Sequence, residues 1–206
     1  MLRRAFIVLV PALAWTLAMF SLPAAHAQAA SPEAVIDRFH AVLLDVMKAA
    51  KTLGHQGRAE RLKPAIEQAF HLRVMIQIAT GGAWRQASDT QKSALTAAFS
   101  ALSTATYAAN FDGHSGEKFE TVGTRPGPQD TTLVDTKIVK ASGTPVEITY
   151  VAKKAGSGWK IVDVVVDKGI SELAVKRSEY AAVLKNSGVD GLIAVLNRKA
   201  GELAKN

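Results

Sequence analysis

Cysteine is absent from all 206 residues. That excludes disulfides, thiolate catalysis and cysteine-held metal, so a packed core must stabilise the fold unaided. Histidine is sparse: beyond the N-terminal region only His40, His55, His71 and His114 occur, far apart, with no H-x-x-x-H pair and no acidic cluster. No metal site is expected from them. Aromatic residues make up only 6% of the chain, and no run of Lys or Arg exceeds two. Nucleic-acid binding needs a basic track interleaved with stacking rings, so no nucleic-acid partner is expected. The nucleophile elbow G-x-S-x-G, the phosphate loop and the dinucleotide fingerprint are also missing. Neither a catalytic residue nor a cofactor is expected.

What the sequence does contain begins at its N-terminus. Arg3 and Arg4 precede an almost wholly apolar run, Ala5–Leu22, and Ala25-His26-Ala27 forms an A-x-A exit. This is the layout of a secretory signal peptide. The apolar run could nearly span a bilayer as an uncleaved anchor, but Pro11, Pro23 and the small exit residues favour cleavage. The expectation is a signal peptide over 1–27 and a single domain over 28–206, delivered to a bacterial periplasm. The net charge of +7 becomes +5 without Arg3 and Arg4. That surplus suits anionic headgroups or an acidic partner, besides solubility.

Ser31-Pro32-Glu33 reads as a helix start, followed by an apolar stripe through Val35, Phe39, Val42 and Val46 and a stop at Gly54. A short second helix is expected near Arg58, carrying Leu62, Ile66 and Phe70. A third covers His71–Thr80 and stops at Gly81-Gly82. Ser88 and Gln91 form a capping box for a long helix with Leu95, Phe99, Leu102 and Thr106 on one face. The period then changes from 3.6 to 2. Four strands are expected, at Lys118–Thr124, Thr131–Lys140, Val146–Lys153 and Trp159–Asp167. Their short connections require an antiparallel meander. In the last strand Val162, Val164 and Val166 share one face, and Ile161, Asp163, Val165 and Asp167 the other. Two helices follow, Ser171–Lys185 and one capped by Asp190. The pattern is α+β: a curved four-stranded antiparallel sheet packed against N- and C-terminal helices, with room for an apolar cavity between them.

The stretch Trp159–Tyr180, WKIVDVVVDKGISELAVKRSEY, carries the pattern W-x-x-x-D-(x)5-G-I-S-(x)5-R-S-x-Y. Gly82-x-Trp84-Arg85 with Gln91, Phe99 and Tyr107-Ala108 is a second block, and Pro145-Val146-x-Ile148-x-Tyr150 a third. Together they resemble the MlaC-like family of periplasmic lipid carriers, also called toluene-tolerance auxiliary proteins. Leu95 departs from the pattern, standing where an aromatic is usual, and Lys168 lengthens the turn before Gly169. The resemblance implies a shuttle for phospholipid, or for a hopanoid in one subgroup. It also implies an inner-membrane ABC transporter complex and an outer-membrane lipoprotein complex as partners.

The candidate lipid-binding residues are Trp84, Phe99, Tyr107, Ile148, Tyr150, Trp159, Val164, Arg177 and Tyr180. Each aromatic is equally readable as core packing. Arg177 is expected to pair either with Asp163 or with a lipid phosphate, the former being favoured. Two rival readings share the architecture. One is a cone-shaped isomerase or dehydratase using Asp163 as base beside Tyr150 or Tyr107. The other is a docking subunit whose interior is solid core.

Overall fold

The computed structural model describes residues 31–166 and 169–205. The expected signal peptide, its cleavage site, Asp167 and Lys168 lie outside the described residues. Helix α1 (Pro32–Lys48) starts where its sequence requires: Ser31 Oγ accepts the Ala34 N–H at 3.2 Å and Pro32 occupies the first turn. Its stripe buries Ile36, Phe39, Leu43 and Val46. Helix α1 closes at Lys48, with the Ala49 N–H bonded to the Asp45 carbonyl, while the buried stripe runs on through Ala50. Helix α2 (Ala50–Ala69) begins earlier than the expected start near Arg58. The expected break at Gly54 is present, at φ 59° and ψ −177°, a conformation that suits glycine, but it kinks α2 rather than ending α1.

Helix α3 (Leu72–Thr80) stops at Gly81, and the next five residues form a short helix, α4 (Gly82–Gln86), that the sequence reading did not include. Both hydrogen bonds of the expected capping box open α5 (Asp89–Asn110): Ser88 Oγ accepts the Gln91 N–H at 3.2 Å, and Gln91 Oε1 accepts the Ser88 N–H at 3.0 Å.

The sheet has five strands rather than the expected four: β1 (Lys118–Pro126), β2 (Thr131–Val139), β3 (Val146–Ala155), β4 (Gly158–Val166) and β5 (Ile170–Ser171). Spatial order equals chain order and every neighbouring pair is antiparallel. The extra strand exists because Gly169, at φ 101°, turns the chain back so that Ile170 pairs with Val166 before the helix begins. A bulge in β4 supplies a second correction. Asp163 stands opposite Val151 but Ile161 stands opposite Ala152, so one extra residue, Val162, is inserted. The insertion moves Ile161 off the face of Asp163 and into register with Val164 and Val166, and Ile161 is fully buried.

The final two expected helices are the limbs of one element, α6 (Glu172–Leu203), interrupted at Gly188 with φ 63° and ψ −164°. Asp190, the expected cap of the second limb, accepts two hydrogen bonds of 3.1 Å from Gln91 Nε2 and ties that limb to the start of α5. Helices cover one face of the sheet, where Val134, Thr136, Ile148, Tyr150 and Val164 are buried. The opposite face is solvated and carries cross-strand pairs such as Arg125 Nε to Asp135 at 2.9 Å and Lys137 Nζ to Glu120 at 3.0 Å. Exposed pairs of this kind add little stability; their value is solubility. Among the described residues no helix is long and apolar enough to cross a membrane.

Candidate functional site

A pocket of about 220 Å³ lies between the helices and the sheet. Its sheet wall consists of Ile148 and Tyr150 on β3 and Val164 and Val166 on β4. These four are cross-strand partners, Ile148 with Val166 and Tyr150 with Val164, so alternation along both strands presents them together. The helical wall is a stripe along α5, where Phe99, Leu102, Ser103, Thr106, Tyr107 and Asn110 recur every three or four residues. Ile66 from α2, Leu72 and Met75 from α3, and Phe70 between the two helices complete it. Among the described residues the charged members of the wall are Glu172 and Lys176, half-buried one turn apart at the start of α6. They mark the mouth.

An aromatic belt closes one side. The Phe39 ring meets Phe70 at 5.1 Å and Tyr107 at 5.4 Å, both edge-on, and Tyr107 stacks on Phe111 at 5.7 Å. Burial, reinforced by the nearby negative charge of Glu172, pushes the Tyr107 phenol well above its ordinary pKa. Tyr150 is likewise raised by burial, and its Oη lies 2.9 Å from His40 Nε2 in a buried hydrogen bond. His40 also stacks on Phe119, with ring centroids 4.5 Å apart. Desolvation lowers the His40 pKa from 6.5 to about 4, against a weaker upward pull from Asp37. A neutral imidazole and a protonated phenol therefore satisfy each other beside the pocket, without introducing charge. Among the described residues no three His, Asp or Glu side chains cluster to hold a metal ion.

Residues 37–198 match the family described as MlaC protein. The chain belongs to the MlaC family. Its fold is also similar to a solved structure described as a phospholipid-binding protein from Ralstonia solanacearum in complex with a phospholipid. The two share 23% sequence identity at a TM-score of 0.74, over 85% of this chain and 99% of that one. No curated protein sequence matches the chain.

Within this MlaC-family frame the sequence candidates separate. Phe99, Tyr107, Ile148, Tyr150 and Val164 line the pocket, whereas Trp84, Trp159, Arg177 and Tyr180 do not. Trp84 is buried on α4, with the Arg73 guanidinium 5.2 Å from its ring centroid. Trp159 sits at the start of β4, with Lys154 Nζ 5.7 Å from its ring centroid. Both use cations to cover an indole face, a packing role. Tyr180 is 3% exposed, and its hydroxyl has no partner among the described residues.

The expected pairing of Arg177 with Asp163 is not found. Arg177 is exposed, and its Nη2 would stand only 3.7 Å from a Cβ placed on Gly81. Asp163 is occupied by the chain around it. Its Oδ2 accepts the Ser171 hydroxyl at 2.6 Å, and its Oδ1 accepts the Leu173 N–H at 3.1 Å and the Val164 N–H at 2.8 Å. Ser171 Oγ in turn accepts the Ala174 N–H at 3.0 Å. Aspartate and serine thus cap α6 jointly and pin it to the end of the sheet. With its oxygens engaged, and in register with Val151 while its neighbour Val164 pairs with Tyr150, Asp163 does not sit as a base beside that phenol.

Sequence reasoning missed Glu172, Lys176, Met75, Phe70, Phe111 and His40. The spacing of Glu172 and Lys176, four apart after a helix cap, was a usable signal for one shared face. His40 gave none, because its partner Tyr150 is 110 residues away.

Proposed function

We propose that this MlaC-family protein is a non-enzymatic lipid carrier that takes phospholipid acyl chains into the pocket between helices and sheet. The observation that carries the reading is the wall itself: mostly aliphatic and aromatic side chains, with Ser103, Thr106 and Asn110 its uncharged polar members and, among the described residues, charge only at Glu172 and Lys176. Apolar burial supplies the affinity. At ~0.8 kcal/mol per methylene, about ten buried methylenes contribute roughly 8 kcal/mol before ordering costs, the scale of micromolar binding. The present volume of about 220 Å³ is below the roughly 300–1,000 Å³ of ligand pockets. The phospholipid held by the Ralstonia solanacearum structure favours that cargo over a hopanoid.

The N-terminal pattern supports export to the periplasm with removal of residues 1–27. Family membership supports work alongside an inner-membrane ABC transporter complex and an outer-membrane lipoprotein complex, with the carrier moving lipid between them. Native mass spectrometry of the purified mature protein tests the cargo. A co-purifying phospholipid is the expected result. Protein that neither co-purifies with lipid nor takes it up from vesicles would overturn the reading.

A further inference from the structure

Among the described residues the charges at the mouth of the pocket balance. Glu172 and Lys176 sit one turn apart on α6, and the exposed amide of Asn110 ends α5 on the same rim. Among the described residues neither charge makes an ion pair within 4.0 Å. A groove of about 420 Å³ continues from this rim, sharing Leu102, Thr106 and Lys176 with the pocket. Its further charged residues are two acids and one base, Glu179, Glu202 and Lys199, so the groove offers an anionic headgroup no surplus of positive charge. An anionic headgroup would gain Lys176 but face the Glu172 carboxylate. A headgroup carrying both charges meets a partner for each.

We infer that Glu172, Lys176 and Asn110 select a zwitterionic headgroup with a primary ammonium, the phosphoethanolamine type, over an anionic one. Side chains four apart on a helix have Cβ atoms about 5–6 Å apart. The two-carbon bridge between phosphate and nitrogen in such a headgroup spans a comparable gap. Lys176 meets the phosphodiester as a mobile point charge. The Glu172 carboxylate and the Asn110 carbonyl accept N–H bonds from the ammonium. A choline nitrogen has no N–H to donate and makes neither bond. The inference rests on the lipid-carrier reading and names its cargo more closely.

The test offers delipidated protein mixed vesicles of phosphatidylethanolamine, phosphatidylcholine and phosphatidylglycerol in equal amounts, and reads bound lipid by native mass spectrometry. Phosphatidylethanolamine should be enriched over phosphatidylglycerol roughly two- to fivefold, the range of a partly exposed charge pair. Glu172→Lys should reverse that order. Should that variant not fold by thermal melt, Glu172→Gln replaces it and should bring the two lipids close to parity. Equal uptake of all three lipids, or a preference unchanged in the variant that folds, overturns the headgroup inference and leaves carriage standing. No uptake of any lipid overturns both.

Discussion

Between Trp159 and Tyr180 the residues of most distinctive chemistry hold joints together, while the pocket wall is built from ordinary aliphatic and aromatic side chains. Asp163 and Ser171 fasten α6 to the sheet, Gly169 turns the chain into β5, and Lys160 Nζ bonds the Glu67 and Gln68 carbonyls at the end of α2. Against them stand Ile148, Val164, Phe99, Met75 and Leu102, whose only special property is that they face one another across a gap. The recognisable pattern is therefore mostly frame. A frame needs residues with defined hydrogen-bond geometry, whereas a lipid site needs shape and the absence of polarity. Val164, Val166, Glu172 and Lys176 belong to both, being inside the patterned segment and on the wall.

That contrast is broken most directly on the wall. Val164→Glu or Ile148→Glu places a carboxylate in apolar surroundings at a cost of about 3 kcal/mol or more when unpaired. Such a protein, if folded by circular dichroism, should carry no lipid; full lipid occupancy would show that chains bind elsewhere. The frame gives the opposite outcome. Asp163→Ala removes two backbone hydrogen bonds and one from Ser171, and should lower stability by about 2–3 kcal/mol in urea titration. Its lipid content per folded molecule should stay unchanged.

His40 gives a graded test. Its folded pKa, about 4, is below the ordinary 6.5, so the stability it contributes is present above 6.5 and is lost as pH falls towards 4. Between pH 7 and 5 that loss should be on the order of 1–2 kcal/mol. His71, also lowered by desolvation and by Lys160, adds in the same direction. A His40→Gln variant should flatten most of this dependence in thermal melts; an unaltered pH profile would assign it to other groups. The smallest effect is expected at Arg177. Exposed and not bonded to Asp163, it should cost within about 0.5 kcal/mol as Arg177→Ala, with lipid retained. A loss of phospholipid at unchanged melting temperature would instead make it a headgroup ligand.

The periodicities carried most of the fold. Capping at Ser31 and Ser88 and the switch from period 3.6 to 2 were local, and local rules located α1, α3, α5 and the four long strands. The bulge at Val162 was not legible, since it adds a residue without altering composition, and it reversed the expected orientation of Ile161. The pocket was half legible for a related reason. Apolar alternation pointed to Ile148, Tyr150 and Val164, but indole and guanidinium chemistry drew attention to Trp84, Trp159 and Arg177, which cover surfaces elsewhere. Whether an aromatic faces a gap or a neighbour depends on how far two layers stand apart, and one chain segment does not encode that distance.

Strand order that equals chain order has a kinetic consequence. Every pairing between the five strands is a hairpin between sequence neighbours, the low-contact-order route to rapid assembly, and the isolated parallel bridge of Phe70 to Ile161 lies outside those pairings. The helical layer is different, because Gln91 and Asp190 must meet across 99 residues. We expect the meander to zip early and the second limb of α6 to dock late, leaving the apolar wall transiently bare. Pulsed hydrogen exchange should then protect the amides of β2 and β3 before those around Leu192 and Leu196; simultaneous protection would show one cooperative step. A chain without disulfide cross-links would meet its most adhesive moment between those two events, when a holding chaperone has most to shield.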